Sequence, residues 1–137
     1  LADRQAYDSQ NVSHARRETI LVVEDNPDVR TVTVARLQDM GFTTLEADGG
    51  PAAIAMLESG AIADLVFSDV VMAGGMSGYD VVRWVRDNRA GLKVLLTSGF
   101  VTDIAKGEDA TGSNTKVLRK PYNRAELAAA LREALDA

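Results

Sequence analysis

The chain contains no cysteine, which excludes disulfides, thiolate zinc sites and cysteine nucleophiles. Its only histidine, His14, is followed by Ala15 and lies in a polar stretch outside any periodic segment, so it receives no role. No apolar run approaches the roughly 20 residues needed to span a bilayer. Leu1 to Thr19 holds no apolar stretch resembling a secretory signal. The lysines and arginines are scattered and the net charge is −5, so the clustered basic face that nucleic-acid phosphates require is missing. No Gly-x-Gly-x-x-Gly follows a strand, which leaves a dinucleotide site unsupported. What remains is a cytoplasmic protein making no contact of its own with membrane or nucleic acid.

At 137 residues, with 46% hydrophobic and 26% charged side chains, the chain is long enough for one domain with its own core. Residues 1–18 lack apolar periodicity and read as a linker or expression remnant; residues 19–137 form the domain. Within it, strand-length apolar runs alternate with helical patterns. The strand candidates are Ile20–Val23, Phe42–Glu46, Leu65–Ser68, Lys93–Leu96 and Lys116–Arg119. Ile20-Leu21-Val22-Val23 is apolar on both faces, as a parallel strand covered by helices on each side must be.

The first helix has a cap in Asn26, proline at its first position in Pro27, and Asp28 to complement the dipole. Val29, Val32, the stem of Arg36, Leu37 and Met40 follow at helical spacing, and Gly41 supplies a left-handed stop. A second helix runs from about Pro51 to Ser59 and ends at Gly60. A third runs from Ser77 or Gly78 to about Asn88 with Val81, Val82 and Val85 inward. The last spans about Arg124 to Asp136. Between Val101 and Asn114 the pattern is poor, and Gly107, Gly112, Ser113 and Asn114 permit only a short helix. Trp84 falls off the inward stripe of the third helix. Its alternatives are partial burial against a neighbouring loop or a docking anchor for a partner. The alternation predicts an α/β, doubly wound parallel sheet of five strands, whose chemistry belongs outside the carboxyl ends of the strands.

Those ends carry the informative residues. The first strand ends at Glu24-Asp25, the third at Asp69, the fourth at Thr97-Ser98 and the fifth at Lys120-Pro121. Two carboxylates about 5 Å apart repel by roughly 3 kcal/mol at an effective dielectric near 20, so three acids on one edge call for a cation. Oxygen-only ligands select a hard ion, and a site that keeps waters and positions for phosphate oxygens suits Mg2+. Acids after strands also cap helices, which accounts for Glu24 or Asp25 singly but not for the whole set. A carboxylate can accept a phosphoryl group, and such transfer asks mainly for positioning and charge neutralisation. Asp69 is the acceptor in this reading, beside Mg2+. Lys120 neutralises one phosphoryl oxygen and the Thr97 hydroxyl bonds another. The Lys120-Pro121 bond is of the kind that tolerates the cis form.

The runs ILVVEDNPDVR, LVFSDVVMAGGMSGYD, KVLLTSGF and VLRKPY resemble the receiver domains of bacterial response regulators and hybrid histidine kinases, over about residues 19–136. The resemblance implies a flavodoxin-like fold with strand order 2-1-3-4-5. It also implies phosphorylation of Asp69 by the phospho-histidine of a histidine kinase or phosphotransfer domain. The metal ligands it implies are Asp25 directly, Glu24 largely through water, Asp69 and the Val71 backbone carbonyl. Thr97 becomes the switch hydroxyl and Lys120 the phosphate-binding lysine. Such a domain catalyses its own phosphotransfer and dephosphorylation without classical turnover. Ala73 departs from the usual proline after Met72, Gly74-Gly75 lengthens that loop by a residue, and Val117 stands where an aromatic is usual. Positions 71 and 99, whose side chains tune water attack in the family, hold Val71 and Gly99. The Gly-Gly loop and the strand endings are most similar to receivers attached to sensor histidine kinases. A dehalogenase-type phosphatase would need an Asp at position 71. A pseudo-receiver, binding partners without phosphorylation, is the alternative.

Overall fold

The computed structural model describes residues 17–99 and 115–137. The linker assigned to residues 1–18, apart from its last two residues, and the short helix placed between Val101 and Asn114 lie outside them. The described elements run β1 (Thr19–Val23), α1 (Pro27–Asp39), β2 (Thr43–Ala47), α2 (Gly50–Glu58), β3 (Leu65–Asp69), α3 (Gly78–Asn88), β4 (Lys93–Ser98), β5 (Lys116–Arg119) and α4 (Arg124–Asp136). All four pairings are parallel and the strand order is β2-β1-β3-β4-β5, the doubly wound arrangement.

The apolar runs are explained by two cores, one on each face of the sheet. Ile20, Val22, Leu65, Phe67 and Leu95 point to one side, where α1 contributes Val34 and Leu37, its C-cap Met40 joins them, and α4 adds Leu127 and Leu131. Leu21, Val23 and Val66 point to the other, under Ala53 and Leu57 of α2 and Val81 and Val85 of α3. Alternate residues of β1 thus serve opposite layers, and each fully buried Leu or Val contributes about 1.5–3 kcal/mol. Trp84 is half-buried as the plainer reading expected, but it packs with the α2–α3 core layer rather than against a loop.

Capping follows the sequence. Asn26 Oδ1 accepts from the Asp28 and Val29 amides at 2.9 and 3.1 Å. Ser77 with Asp80 and Asn123 with Glu126 close capping boxes on α3 and α4. Gly41 and Gly60 stand at φ 98° and 104° just after α1 and α2, the left-handed stops expected of them.

One expectation is corrected. Val29 and Val32 of α1 are 42% and 55% exposed and Arg36 faces solvent, whereas Val34 and Leu37 are buried. At about 100° per residue, Val32 sits roughly 200° around the helix from Val34. The pair Val34–Leu37, continued by Met40, sets the inward face.

Candidate functional site

Parallel register places the polar strand ends in a row. Val23 pairs with Ser68, so Glu24, the next residue, comes level with Asp69. Asp69 pairs with Thr97. Ser98 pairs with Arg119, and the Lys120 amide donates to the Ser98 carbonyl at 2.9 Å. The order reverses between β1 and β3, so the acids of those two strands flank the crevice in which doubly wound sheets bind ligands.

Lys120 Nζ lies 3.1 Å from Asp69 Oδ2, bringing residues 51 positions apart into an ion pair. The Lys120–Pro121 peptide is cis. Thr97 is 5% exposed, and its Oγ1 is buried without a hydrogen-bond partner among the described residues. Between Asp69, Thr97, Lys120 and Glu24 lies a cavity of about 20 Å³, also lined by Tyr122, large enough for about one water. A wider cleft of about 460 Å³ sits at the opposite edge of the sheet, among Glu18, Asp64, Arg89 and Lys93. It shares no residue with the row of strand ends. Its polar groups serve local structure: Asp64 Oδ2 accepts the Thr19 amide and Glu18 pairs with Arg132.

The acidic pair divides in environment. Glu24 is 8% exposed, and burial raises its pKa above the ordinary 4.5. The Asn26 amide, 3.1 Å from its Oε2, opposes that rise, while the charge of Asp69 and the neighbouring Asp25 add to it. Asp25 moves the other way: the Ala73 amide, 2.9 Å from Oδ2, lowers its pKa below the ordinary 3.8. Across the crevice, Val71 is 56% exposed on the loop after β3.

That loop folds tightly back. The Gly78 amide donates to the Val70 carbonyl at 2.8 Å, and a Cβ on Gly78 would stand 2.5 Å from the Asp69 carbonyl oxygen. Only glycine permits this approach. Gly74 and Gly75 turn the loop at φ 94° and 87°.

Among the described residues, no three His, Cys, Asp or Glu side chains form a ready-made cage for an ion. Mg2+ does not require one: it keeps several waters and takes one or two carboxylates. The donors are oxygens only, and a buried Glu24 carrying the added repulsion of Asp69 is the electrostatic setting that a hard cation relieves. The residues fit the ion by donor chemistry.

Three participants were assigned no role from the sequence, although Arg30 and Tyr122 close two of the quoted runs and Ala73 was noted as a departure. Arg30 holds the Glu24 carbonyl with Nη1 at 2.8 Å and Glu46 Oε1 with Nε at 3.2 Å, tying the end of β1 to β2. Tyr122 lays its ring edge-on to Phe67, centroids 6.5 Å apart, and burial raises its hydroxyl pKa. The third is the Ala73 amide, a backbone donor with no side-chain signature.

A family model described as the response regulator receiver domain matches residues 20–132. The chain is similar to the sensor kinase CckA of Brucella abortus, 34% identical over 86% of this chain but only 12% of that kinase. It is also similar to the transcriptional regulatory protein TcrA of Mycobacterium tuberculosis, 36% identical over 82% of this chain and 44% of that protein. The chain therefore spans less than half the length of these relatives. Among solved structures, the response regulator TrrA of Thermotoga maritima, crystallised with Mg2+–BeF, aligns with a TM-score of 0.75 at 27% identity. That alignment covers 85% of this chain and 98% of that one.

Proposed function

The chain belongs to the response regulator receiver family of two-component signalling, and from that premise we propose that Asp69 is its phosphoacceptor. A carboxylate oxygen of Asp69 forms a bond to phosphorus as the donor's N–P bond breaks, the electron pair leaving with the histidine nitrogen of a partner kinase or phosphotransfer domain. The product is an acyl phosphate on this chain.

The observation that carries the reading is the juxtaposition at Asp69. A cation stands 3.1 Å from one carboxylate oxygen, and the next strand presents at the same register a buried hydroxyl without a partner among the described residues. Lys120 follows the charge outward onto a phosphoryl oxygen, and Thr97 donates to another. Mg2+, when bound, supplies neutralisation of the incoming phosphoryl charge; Asp25, Asp69 and the Val71 carbonyl would hold it, with Glu24 acting through water. Residues 1–18 are a linker or expression remnant, and the domain works in the cytoplasm as part of a longer sensor kinase, in keeping with its likeness to CckA.

Incubation with acetyl phosphate and Mg2+, read by intact mass and peptide mapping, tests this. One phosphoryl group should appear on wild type and none on Asp69→Asn. Labelling of the Asp69→Asn protein would show that another residue is the acceptor. An unlabelled wild type would make the domain a pseudo-receiver.

A further inference from the structure

We propose that the backbone amide of Ala73 is a positioning group for the cation site, orienting the Asp25 carboxylate and fixing the Val71 carbonyl between two anchors. The inference rests on the reading of Asp25 and Val71 as cation ligands given above.

The Ala73 amide donates to Asp25 Oδ2 at 2.9 Å across 48 positions of sequence, joining the loop after β3 to the residue after β1. An exposed aspartate otherwise rotates among several side-chain orientations. A bond that fixes one oxygen leaves the other with a defined direction, as hydrogen bonds to metal-ligating carboxylates do. The same bond closes a short, doubly anchored segment. At its start, the Val70 amide donates to the Thr97 carbonyl at 2.9 Å. At its end, Met72 is buried in the core, 8% exposed, and Ala73 is tied to Asp25. Val71 lies between, its side chain in solvent, so the backbone that carries its carbonyl is held on both sides. Beyond Ala73 the chain turns through Gly74 and Gly75, both at positive φ, which leaves the tether as the point where ordered site geometry passes into the turn.

The donor is available only because residue 73 is not proline. Proline has no N–H, so a chain with proline there could not make this bond. The departure noted at this position therefore adds a backbone contact to the site.

The test is Mg2+ affinity without any phosphodonor, measured by calorimetry and by amide NMR titration, on wild type, Ala73→Pro and Ala73→Gly. Ala73→Pro should raise the Mg2+ Kd about tenfold, the lower end of what loss of an outer-shell partner costs. Ala73→Gly keeps the N–H and should bind like wild type. A protein assembled with an ester in place of the Met72–Ala73 amide removes the same N–H without a proline ring and should reproduce the Ala73→Pro loss. Ester and wild-type proteins of equal Kd would overturn the inference, as would Ala73→Gly weakening binding as much as Ala73→Pro. A wild type that binds no Mg2+ would overturn the cation-site reading itself, and this inference with it.

Discussion

Removing Lys120 should destabilise the domain chiefly while Asp69 carries a charge. The ion pair is 3.1 Å long between a lysine side chain 37% exposed and a carboxylate 14% exposed. Unscreened by anything but water, such a pair is worth about 1.3 kcal/mol, and at an effective dielectric of 40 about 2.7 kcal/mol. The exposed ammonium end, with the entropy of a long side chain, draws the net value toward the lower figure. Lys120→Ala should therefore cost about 1–2 kcal/mol in metal-free buffer. For a domain of this size that is a fall in Tm of roughly 4–8 °C. In an Asp69→Asn background the same substitution should cost clearly less, because only the weaker attraction between Lys120 and Glu24 remains to be lost. Urea unfolding of the four proteins, wild type, Lys120→Ala, Asp69→Asn and the double variant, gives the coupling energy directly. Equal costs in both backgrounds would refute the electrostatic account and reduce Lys120 to a packing element.

Glu24→Gln should stabilise the metal-free domain at neutral pH. A carboxyl whose folded pKa is raised favours the folded state while protonated, below its ordinary 4.5, and loses that contribution as pH rises through the folded value. Stability curves in chelator should thus diverge upward from about pH 4.5, with the variant ahead; parallel curves would refute this. Gly78→Ala should destabilise by about 1–3 kcal/mol, since its Cβ would lie 2.5 Å from the Asp69 carbonyl oxygen and the backbone must shift to admit it. Unchanged melting would mean that the loop after β3 yields freely. Val71→Asn, adding a polar group at an exposed position on the site's rim, should speed loss of the phosphoryl group, followed as decay of labelled protein. No change or slower loss would remove water orientation by residue 71 as a mechanism.

The strands were legible because parallel strands buried on both faces must be apolar throughout, and few other segments of that length are. Their carboxyl ends were less so. The expected β3 stopped at Ser68 and β4 at Leu96, whereas the ladder continues to Asp69 and Ser98. The continuation is made by polar residues, Asp69 against Thr97, whose membership depends on register rather than hydrophobicity. The inward face of α1 was misread for a related reason. Valines at 29, 32 and 34 satisfy two overlapping helical stripes, and only the sheet beneath decides between them. Lys120 meeting Asp69 was legible from residue type and the parallel arrangement, with the strand order supplied by the family resemblance. The bonds occupying each carboxylate were not, because the donors at Asn26 and Ala73 are backbone amides that any residue but proline supplies.

The site's negative charges are met in three different ways, and the differences bear on how phosphorylation could be felt elsewhere. Glu24 is buried and held by the Asn26 amide, Asp25 is tied to a loop, and Asp69 alone is paired with a side-chain cation just beyond β5. Under the proposed chemistry, only the last arrangement must change when a phosphoryl group arrives. The charge that Lys120 answers moves outward from the carboxylate, and the Thr97 hydroxyl gains a strong anionic acceptor. A hydrogen bond to a charged group is worth about 1.5–3 kcal/mol, comparable with the ion pair that Lys120 gives up. Val117 lies beside Leu96, one position before Thr97 in the ladder. A β-branched side chain has few rotamers and no ring to swing, so it is a poor relay. The balance between the two bonds is therefore set at the ends of β4 and β5 themselves. A shift there moves the backbone of both strands, through the bond from the Lys120 amide to the Ser98 carbonyl, without requiring a side chain to change sides.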